Sequence, residues 1–205
     1  FGFRHNVVLR GSHLILRDVR SEGAFEDGVK VTSTVEQPTA SDWGLIVDCD
    51  ISGFASQGID HYGASNWLIT KNEIHHPAPD PVTGRMSANA IGIKGGSHNV
   101  VLTRNVVTDI VGESSRGAFV VGGGGDNFLE GCTDCVISDN TIIGYQGPAV
   151  TMPSARRPQI FRSTIRSGLV GIAIGLDPDV RRLQTPQLMR TVDAWIEANF
   201  IDATI

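Results

Sequence analysis

Four ionisable residues in the first half of the chain could take part in proton-transfer chemistry: Lys30, Asp60, Tyr62 and Lys94. A weakly acidic proton next to a substrate carboxylate can be removed when a cation neutralises that carboxylate and a base reaches the carbon. Lys94 is the first candidate for base or carboxylate neutraliser, and Tyr62 and Asp60 are the second and third. The alternative for Lys94 is a solvated lysine at the end of a strand.

Further side chains could bind a substrate. Lys30 belongs to the same set of strands, whereas His75, His76 and Arg85 lie in a loop, residues 75–86. This loop is rich in proline, polar and long for a connection, and such loops often carry function. The two histidines could instead be ordinary surface residues, because adjacent residues rarely chelate one metal ion well.

These candidates depend on seven segments of similar sequence. Each has a short apolar strand, a polar residue, an asparagine-type residue and a second short strand. The segments are Leu14–Val19, Leu45–Ile51, Leu68–Ile74, Val101–Val107, Val136–Ile142, Ile160–Ile165 and Trp195–Ile201. The asparagine-type positions are Asp18, Cys49, Asn72, Asn105, Asn140, Ser163 and Asn199. Such an irregular repeat is typical of a solenoid with variable loops. Asparagine suits a sharp bend because it tolerates the left-handed conformation and bonds to nearby backbone.

A second repeated strand follows most of these segments and sets which residues face outward. Alternation along the strand predicts one outward column of Lys30, Asp60, Gly92, Val120, Val150 and Ala173. The next predicted column is Thr32, Tyr62, Lys94, Gly122, Met152 and Gly175. Because adjacent strands lie about 5 Å apart, the four ionisable candidates are expected to form one patch.

The segment Asn89–Asn99, the following strand to Asn105 and the segment Gly117–Gly125 carry a resemblance to a known family. The sequence resembles the pectate-lyase-like family of parallel β-helix proteins over nearly its whole length. This resemblance implies an all-β, right-handed parallel β-helix of about six to seven coils, with an asparagine-type ladder at one turn. It also implies that a substrate lies along one sheet and that the protein is secreted or at the cell surface.

The resemblance favours a carbohydrate-active protein that acts on an acidic polysaccharide, as a lyase that performs β-elimination at a uronic acid. A non-catalytic spine for carbohydrate binding or adhesion is the alternative, and a uronate C5 epimerase is the second. Alginate epimerases of this fold carry an Asp-Pro-His-Asp signature, of which Asp60, His61 and Tyr62 reproduce little. The epimerase role is therefore not carried over.

Metal binding has weak support in the sequence. Lyases of this family commonly hold Ca²⁺ with several acidic residues, but only Asp60, Glu26 and Asp27 fit that pattern. Ca²⁺ takes six to eight oxygen ligands, so calcium is possible but lacks a clear acidic cage, and no metal ligand is assigned. Cys132 and Cys135 have no second pair for zinc, and they could be free or bridged.

Composition limits the remaining possibilities. The chain has 205 residues, 40% of them hydrophobic, and a net charge of −5. This balance argues against a nucleic-acid partner, and no apolar run is long enough to span a membrane. We expect a single domain over residues 1–205. The repeat already runs at Phe3–Leu9 and continues past Asn199, so a fragment of a longer solenoid is expected.

Overall fold

The computed structural model describes residues 4–33, 41–84, 88–111, 117–122, 131–168, 170–174 and 191–202. All regular elements in these ranges are β-strands, which we number β1 to β22. The chain passes in turn along three faces, A, B and C, and then returns to face A one coil further on. No helix long and apolar enough to cross a membrane occurs in these ranges.

Each face is a stack of parallel strands, and most coils contribute one strand to each face. Face A consists of β1 (His5–Leu9), β4 (Asp27–Thr32), β7 (Gln57–Tyr62), β10 (Asn89–Lys94), β13 (Phe119–Gly122), β17 (Pro148–Arg156) and β20 (Val170–Ile174). Face B consists of β2 (Leu14–Arg17), β5 (Asp42–Val47), β8 (Ser65–Thr70), β11 (Ser97–Thr103), β14 (Cys132–Thr133), β15 (Val136–Ser138), β18 (Gln159–Phe161) and β21 (Trp195–Glu197). Face C consists of β3 (Arg20–Glu22), β6 (Asp50–Ser52), β9 (Glu73–His75), β12 (Val106–Ile110), β16 (Thr141–Tyr145), β19 (Thr164–Arg166) and β22 (Phe200–Asp202). The long strand β17 pairs with strands of both face A and face B and joins them into one sheet.

The core fills the inside of the coils. On face A, Val29, Ile59, Ile91, Phe119 and Val150 are register partners from coil to coil, and all are fully buried. Stacking of like apolar residues removes their surface from water in every coil. Side chains alternate between the two sides of a strand, so the residue next to each of these apolar residues points outward. The candidate residues lie on that outer surface.

The corner between faces B and C is held by buried asparagines. The Asn72 side chain donates to Asn105 Oδ1 at 3.0 Å, and the Asn105 side chain donates to Asn140 Oδ1 at 3.0 Å. The backbone N–H groups of Asn72 and Asn105 donate to the same side-chain oxygens. Each side chain therefore satisfies backbone groups that the sharp corner leaves without strand partners.

The left-handed residue at this corner is the one before the asparagine. Lys71 and Arg104 have φ of 57° and 56°. Asp18 has φ of 53° and donates its N–H to Val47 O, so it is equivalent to Asp48 and Lys71. The assignment of Asp18 to the asparagine position is therefore wrong by one residue. The sequence pattern missed this because a polar Asp resembles an Asn more than the apolar residue that follows it.

The predicted outward columns are correct for the first coils and wrong for the later ones. Lys30, Asp60, Gly92 and Val120 are register partners as expected, but Val120 pairs with Thr151 and not with Val150. In the second column Thr32, Tyr62 and Lys94 are register partners as expected. Its later members are wrong, because Gly122 pairs with Ser154 across a register shift and Met152 pairs with Ile174. Val150 is fully buried and packs opposite Phe119. This contact turns Val150 inward, whereas the spacing of apolar residues in the sequence had predicted that it points outward.

The cysteines that the sequence left open are bonded to each other, Cys132 to Cys135. Cys49 is free and buried. A short helix considered for residues 184–190 and the glycine-rich residues 123–125 lie outside the described residues.

Candidate functional site

The outer side of face A brings four charged residues into one cluster. Lys30 Nζ contacts an Asp60 carboxylate oxygen, and Lys94 Nζ lies 3.0 Å from the other one. Asp27 Oδ2 lies 3.4 Å from the same Lys30 Nζ. We call Asp27, Lys30, Asp60 and Lys94 the lysine–aspartate cluster. It spans three adjacent coils, as the predicted register required.

The carboxylates of this cluster lie beneath its ammonium groups. The Asp60 and Asp27 side chains are only 3% and 4% exposed, whereas those of Lys30 and Lys94 are 26% and 22% exposed. A buried carboxylate needs charged partners because desolvation of an ion is costly. Here the two lysines supply them, and their ammonium groups are the part of the cluster that solvent and any ligand meet.

The pairing sets the protonation states. Burial alone would raise the pKa of Asp60, but Lys94 and Lys30 outweigh it and hold the pKa below 3.8. Burial, and then the negative charge of Asp60, raise the pKa of Asp27 above 3.8, with Lys30 and His5 acting against them. Burial would lower the pKa of Lys30, yet its pairing with Asp60 and Asp27 raises it above 10.5. Lys30 is therefore a stable cation at neutral pH and not a base.

Next to the lysine–aspartate cluster, two glycines leave space that larger side chains from the neighbouring strand occupy. A Cβ at Gly92 would collide with the Gln57 amide, which occupies that space over face A. A Cβ at Gly95 would meet the Tyr62 ring at 2.6 Å. Tyr62 is half-buried and pairs in register with Lys94, and its ring lies against Gly95, the residue after the lysine.

His61 points the other way. It is fully buried, its Nδ1 lies 3.1 Å from Ser97 Oγ, and its ring packs edge-on against Trp67. Burial lowers the pKa of His61 to about 3, although Asp60 acts in the opposite direction. Alternation along β7 turns His61 into the core, where Ser97 is its hydrogen-bond partner.

The loop candidates are not part of the cluster. His75 ends β9 on face C, and its ring and that of His76 contact Asp50 and Asp109, one coil away on either side. Arg85 lies outside the described residues. The sequence predicted both histidines as substrate-binding residues of a loop, and the structure places them at the end of face C and at the corner after it.

The acidic residues near the cluster do not form a calcium cage. Among the described residues, His5, Glu26 and Asp27 are the one group of three or more such side chains close enough to share an ion. His5 Nδ1 lies 3.1 Å from Asp27 Oδ2, which Lys30 also contacts. One nitrogen and two carboxylates already paired with cations do not match the six to eight oxygens that Ca²⁺ takes.

Sequence reasoning missed the part that Asp27 plays in the cluster. Asp27 was noted only as a weak calcium ligand, yet it pairs with His5 of the preceding coil and contacts Lys30. Asp27 lies three residues before Lys30 on the same strand, which could have indicated a contact. Strict alternation, however, places residues three apart on opposite sides of a strand.

A solved structure of a surface adhesin shows the same fold. A crystal structure of PfbA, a surface adhesin of Streptococcus pneumoniae, aligns with 94% of this chain and 52% of its own, with 12% identity and a TM-score of 0.61. The chain thus spans about half the length of that structure. The alginate lyase from Paenibacillus sp. str. FPU-7 aligns with 96% of this chain and 82% of its own, with 12% identity and a TM-score of 0.29.

No curated protein sequence matches the chain. A family model does match it, over residues 7–179, and its description is a right-handed β-helix region. That match covers most of the strands of faces A, B and C. The chain belongs to the right-handed β-helix family.

Proposed function

We propose that the outer side of face A binds an acidic polysaccharide, with Lys30 and Lys94 as its carboxylate-binding groups. The observation that carries this proposal is the layering of the lysine–aspartate cluster, in which two ammonium groups lie above buried carboxylates. Each ammonium has three N–H donors, and Asp60 engages only part of that capacity. The remaining donors suit the carboxylates of a uronic-acid polymer.

The distribution of lysine supports the same surface. The chain contains three lysines, and two of them meet at Asp60 although their positions differ by 64 residues. The overall charge of −5 opposes nonspecific attraction of a polyanion, so such a ligand needs exposed ammonium groups, and Lys30 and Lys94 present theirs above the buried aspartates. The half-buried Tyr62 ring beside the cluster offers an apolar face against which the C–H groups of a sugar can pack.

A location outside the cytoplasm is part of this proposal. Polysaccharides rich in uronic acid belong to walls, capsules and matrices, and the bond between Cys132 and Cys135 fits an oxidising environment. The pneumococcal protein of similar fold is named a surface adhesin, which agrees with a binding role at a surface.

The binding test compares single variants that remove the same charge. Lys30→Gln and Lys94→Gln are each expected to weaken binding of polyuronate oligosaccharides roughly tenfold in isothermal titration calorimetry, because each removes one charged hydrogen-bond donor. Lys71→Gln is the matched control, since Lys71 is exposed at the corner between faces B and C. Equal affinity in all three variants, or no binding of any polyuronate by the native chain, would contradict the proposal.

Cleavage of the bound polymer by β-elimination is the second candidate function. The specific observation in its favour is the register pairing of Tyr62 with Lys94, which places a possible proton acceptor beside a carboxylate neutraliser. Lys30, whose pKa is raised, would serve only to neutralise. Incubation with a panel of uronic-acid polymers should then release unsaturated products that Tyr62→Phe abolishes while binding persists. Absence of product across the panel would leave binding as the only function.

A further inference from the structure

A second cluster of ionisable side chains lies away from face A, at the corner after face C. This corner stacks one left-handed residue per coil, and the stack consists of Gly23, Gly53, His76, Asp109, Gly144 and Ser167. Successive side chains of a strand point to opposite sides. The φ of 47° at His76 interrupts that alternation directly after β9, and the side chains of His75 and His76 meet.

The two imidazole rings approach through the same kind of nitrogen. His75 Nδ1 and His76 Nδ1 are 2.7 Å apart, and the ring planes are inclined at 86°. The other nitrogen of each ring faces a carboxylate. His75 Nε2 lies 2.9 Å from Asp50 Oδ1, and His76 Nε2 lies 3.6 Å from Asp109 Oδ2.

The carboxylate beside His75 favours one position for the proton of that ring. An aspartate holds the ring proton on the nitrogen that faces it, which leaves the opposite nitrogen with a free lone pair. His75 Nε2 has such a partner in Asp50 at 2.9 Å, so His75 Nδ1 carries a lone pair on the side of His76 Nδ1. A cation bound to His75 Nδ1 is therefore within reach of His76 Nδ1 as well.

We propose that His75 and His76 bind one divalent late transition-metal ion, such as Cu²⁺, Ni²⁺ or Zn²⁺, through their Nδ1 atoms. Imidazole nitrogen suits these ions, and a carboxylate behind each ring orients it and makes it a stronger ligand. Metal–nitrogen bonds of about 2.0–2.1 Å at angles near 90–110° separate the two nitrogens by about 3 Å. The rings need to move apart by only a few tenths of an ångström.

The surroundings leave room for the rest of a coordination shell. His76 is 70% exposed on its side chain, so water can complete the shell. Gly53, its register neighbour one coil before, has no side chain, and its N–H holds the His76 carbonyl at 2.9 Å. The site is therefore built on a fixed backbone but open on one side, which suits a weakly held, exchangeable ion or one that shares a ligand with a bound molecule.

The test uses Cu²⁺ as the probe, with the full chain free of any histidine tag. We expect one ion per chain and electron paramagnetic resonance couplings from two imidazole nitrogens. His75→Gln and His76→Gln are each expected to lower Cu²⁺ affinity at least tenfold. Asp50→Asn should lower it roughly tenfold, because it removes the carboxylate that orients His75.

The matched control is His98→Gln, which removes an exposed histidine on face B and should leave the affinity unchanged. Circular dichroism of each variant checks that it is folded. Retention of Cu²⁺ by either loop-histidine variant, coupling to a single nitrogen, or no stoichiometric binding would overturn the proposal. If no ion binds stoichiometrically, the short contact between the two Nδ1 atoms is a hydrogen bond between the rings.

Discussion

The free energy of unfolding should fall by roughly 3 kcal/mol between pH 6.5 and about pH 4 because of His61 alone. In the unfolded chain this imidazole has the ordinary pKa of 6.5, whereas burial in the fold lowers the pKa to about 3. Between these values the unfolded state binds the extra proton. The contribution of His61 is thus fully present above pH 6.5 and is lost as the pH falls toward 3.

Urea unfolding at a series of pH values measures this effect. His61→Gln should remove the corresponding slope, and His98→Gln at an exposed position should keep it. Nuclear magnetic resonance of the native chain gives an independent check, because the His61 ring should remain neutral at pH 5. Titration of His61 above pH 5.5, or an unchanged slope in a folded His61→Gln variant, would show that this prediction is wrong.

Asn105→Ala should lower the free energy of unfolding by about 3 kcal/mol. The Asn105 side chain accepts from the Asn72 backbone N–H at 3.1 Å and donates to the Ile69 carbonyl at 3.0 Å. It also bonds to the side chains of Asn72 and Asn140. Alanine leaves several of these buried groups without a partner, and each unsatisfied group costs about 1–3 kcal/mol.

The control for this prediction is Asn99→Gly. Asn99 is exposed, has φ of 52° and donates to Asn66 Oδ1 at 3.0 Å, so it forms a similar bond between coils, but on the surface. Glycine accepts the left-handed backbone, and we expect a loss below about 1 kcal/mol. If urea unfolding shows the same loss of unfolding free energy in both variants, burial of the asparagine stack does not contribute to stability.

Much of the fold could be predicted because its determinants are local. An apolar strand ending in a polar residue and an asparagine recurs in coil after coil, and alternation fixes the inner and outer residues. This was enough to place Lys30 beside Asp60, since both occupy the same position of neighbouring strands. It was also enough to turn His61 inward.

Other features depend on contacts that the pattern does not contain. Val120 pairs with Thr151 because Val150 packs opposite Phe119, and the pairing of Gly122 with Ser154 follows from a register shift after Val120. The meeting of His75 and His76 depends on one backbone angle at a corner. A one-dimensional pattern carries no signal for either, because each is decided by the neighbouring coil.

The candidate site was also predictable from the sequence only in part. The sequence indicated which ionisable residues share face A, but not that Asp60 is enclosed between two lysines or that Asp27 joins them. These pairings change the chemistry, because they raise the pKa of Lys30 and lower that of Asp60. Lys30 is therefore better suited to hold a carboxylate than to act as a base.

A crystal structure of the chain with a bound uronic-acid oligosaccharide tests the central claim most directly. We expect the sugar along the outer side of face A, with a sugar carboxylate oxygen within about 3 Å of Lys30 Nζ or Lys94 Nζ. The groove on face B that Trp43, Asn66 and Leu68 help to line, with a volume of about 410 Å³, is the most informative alternative. A sugar bound there, with face A empty, would contradict the claim.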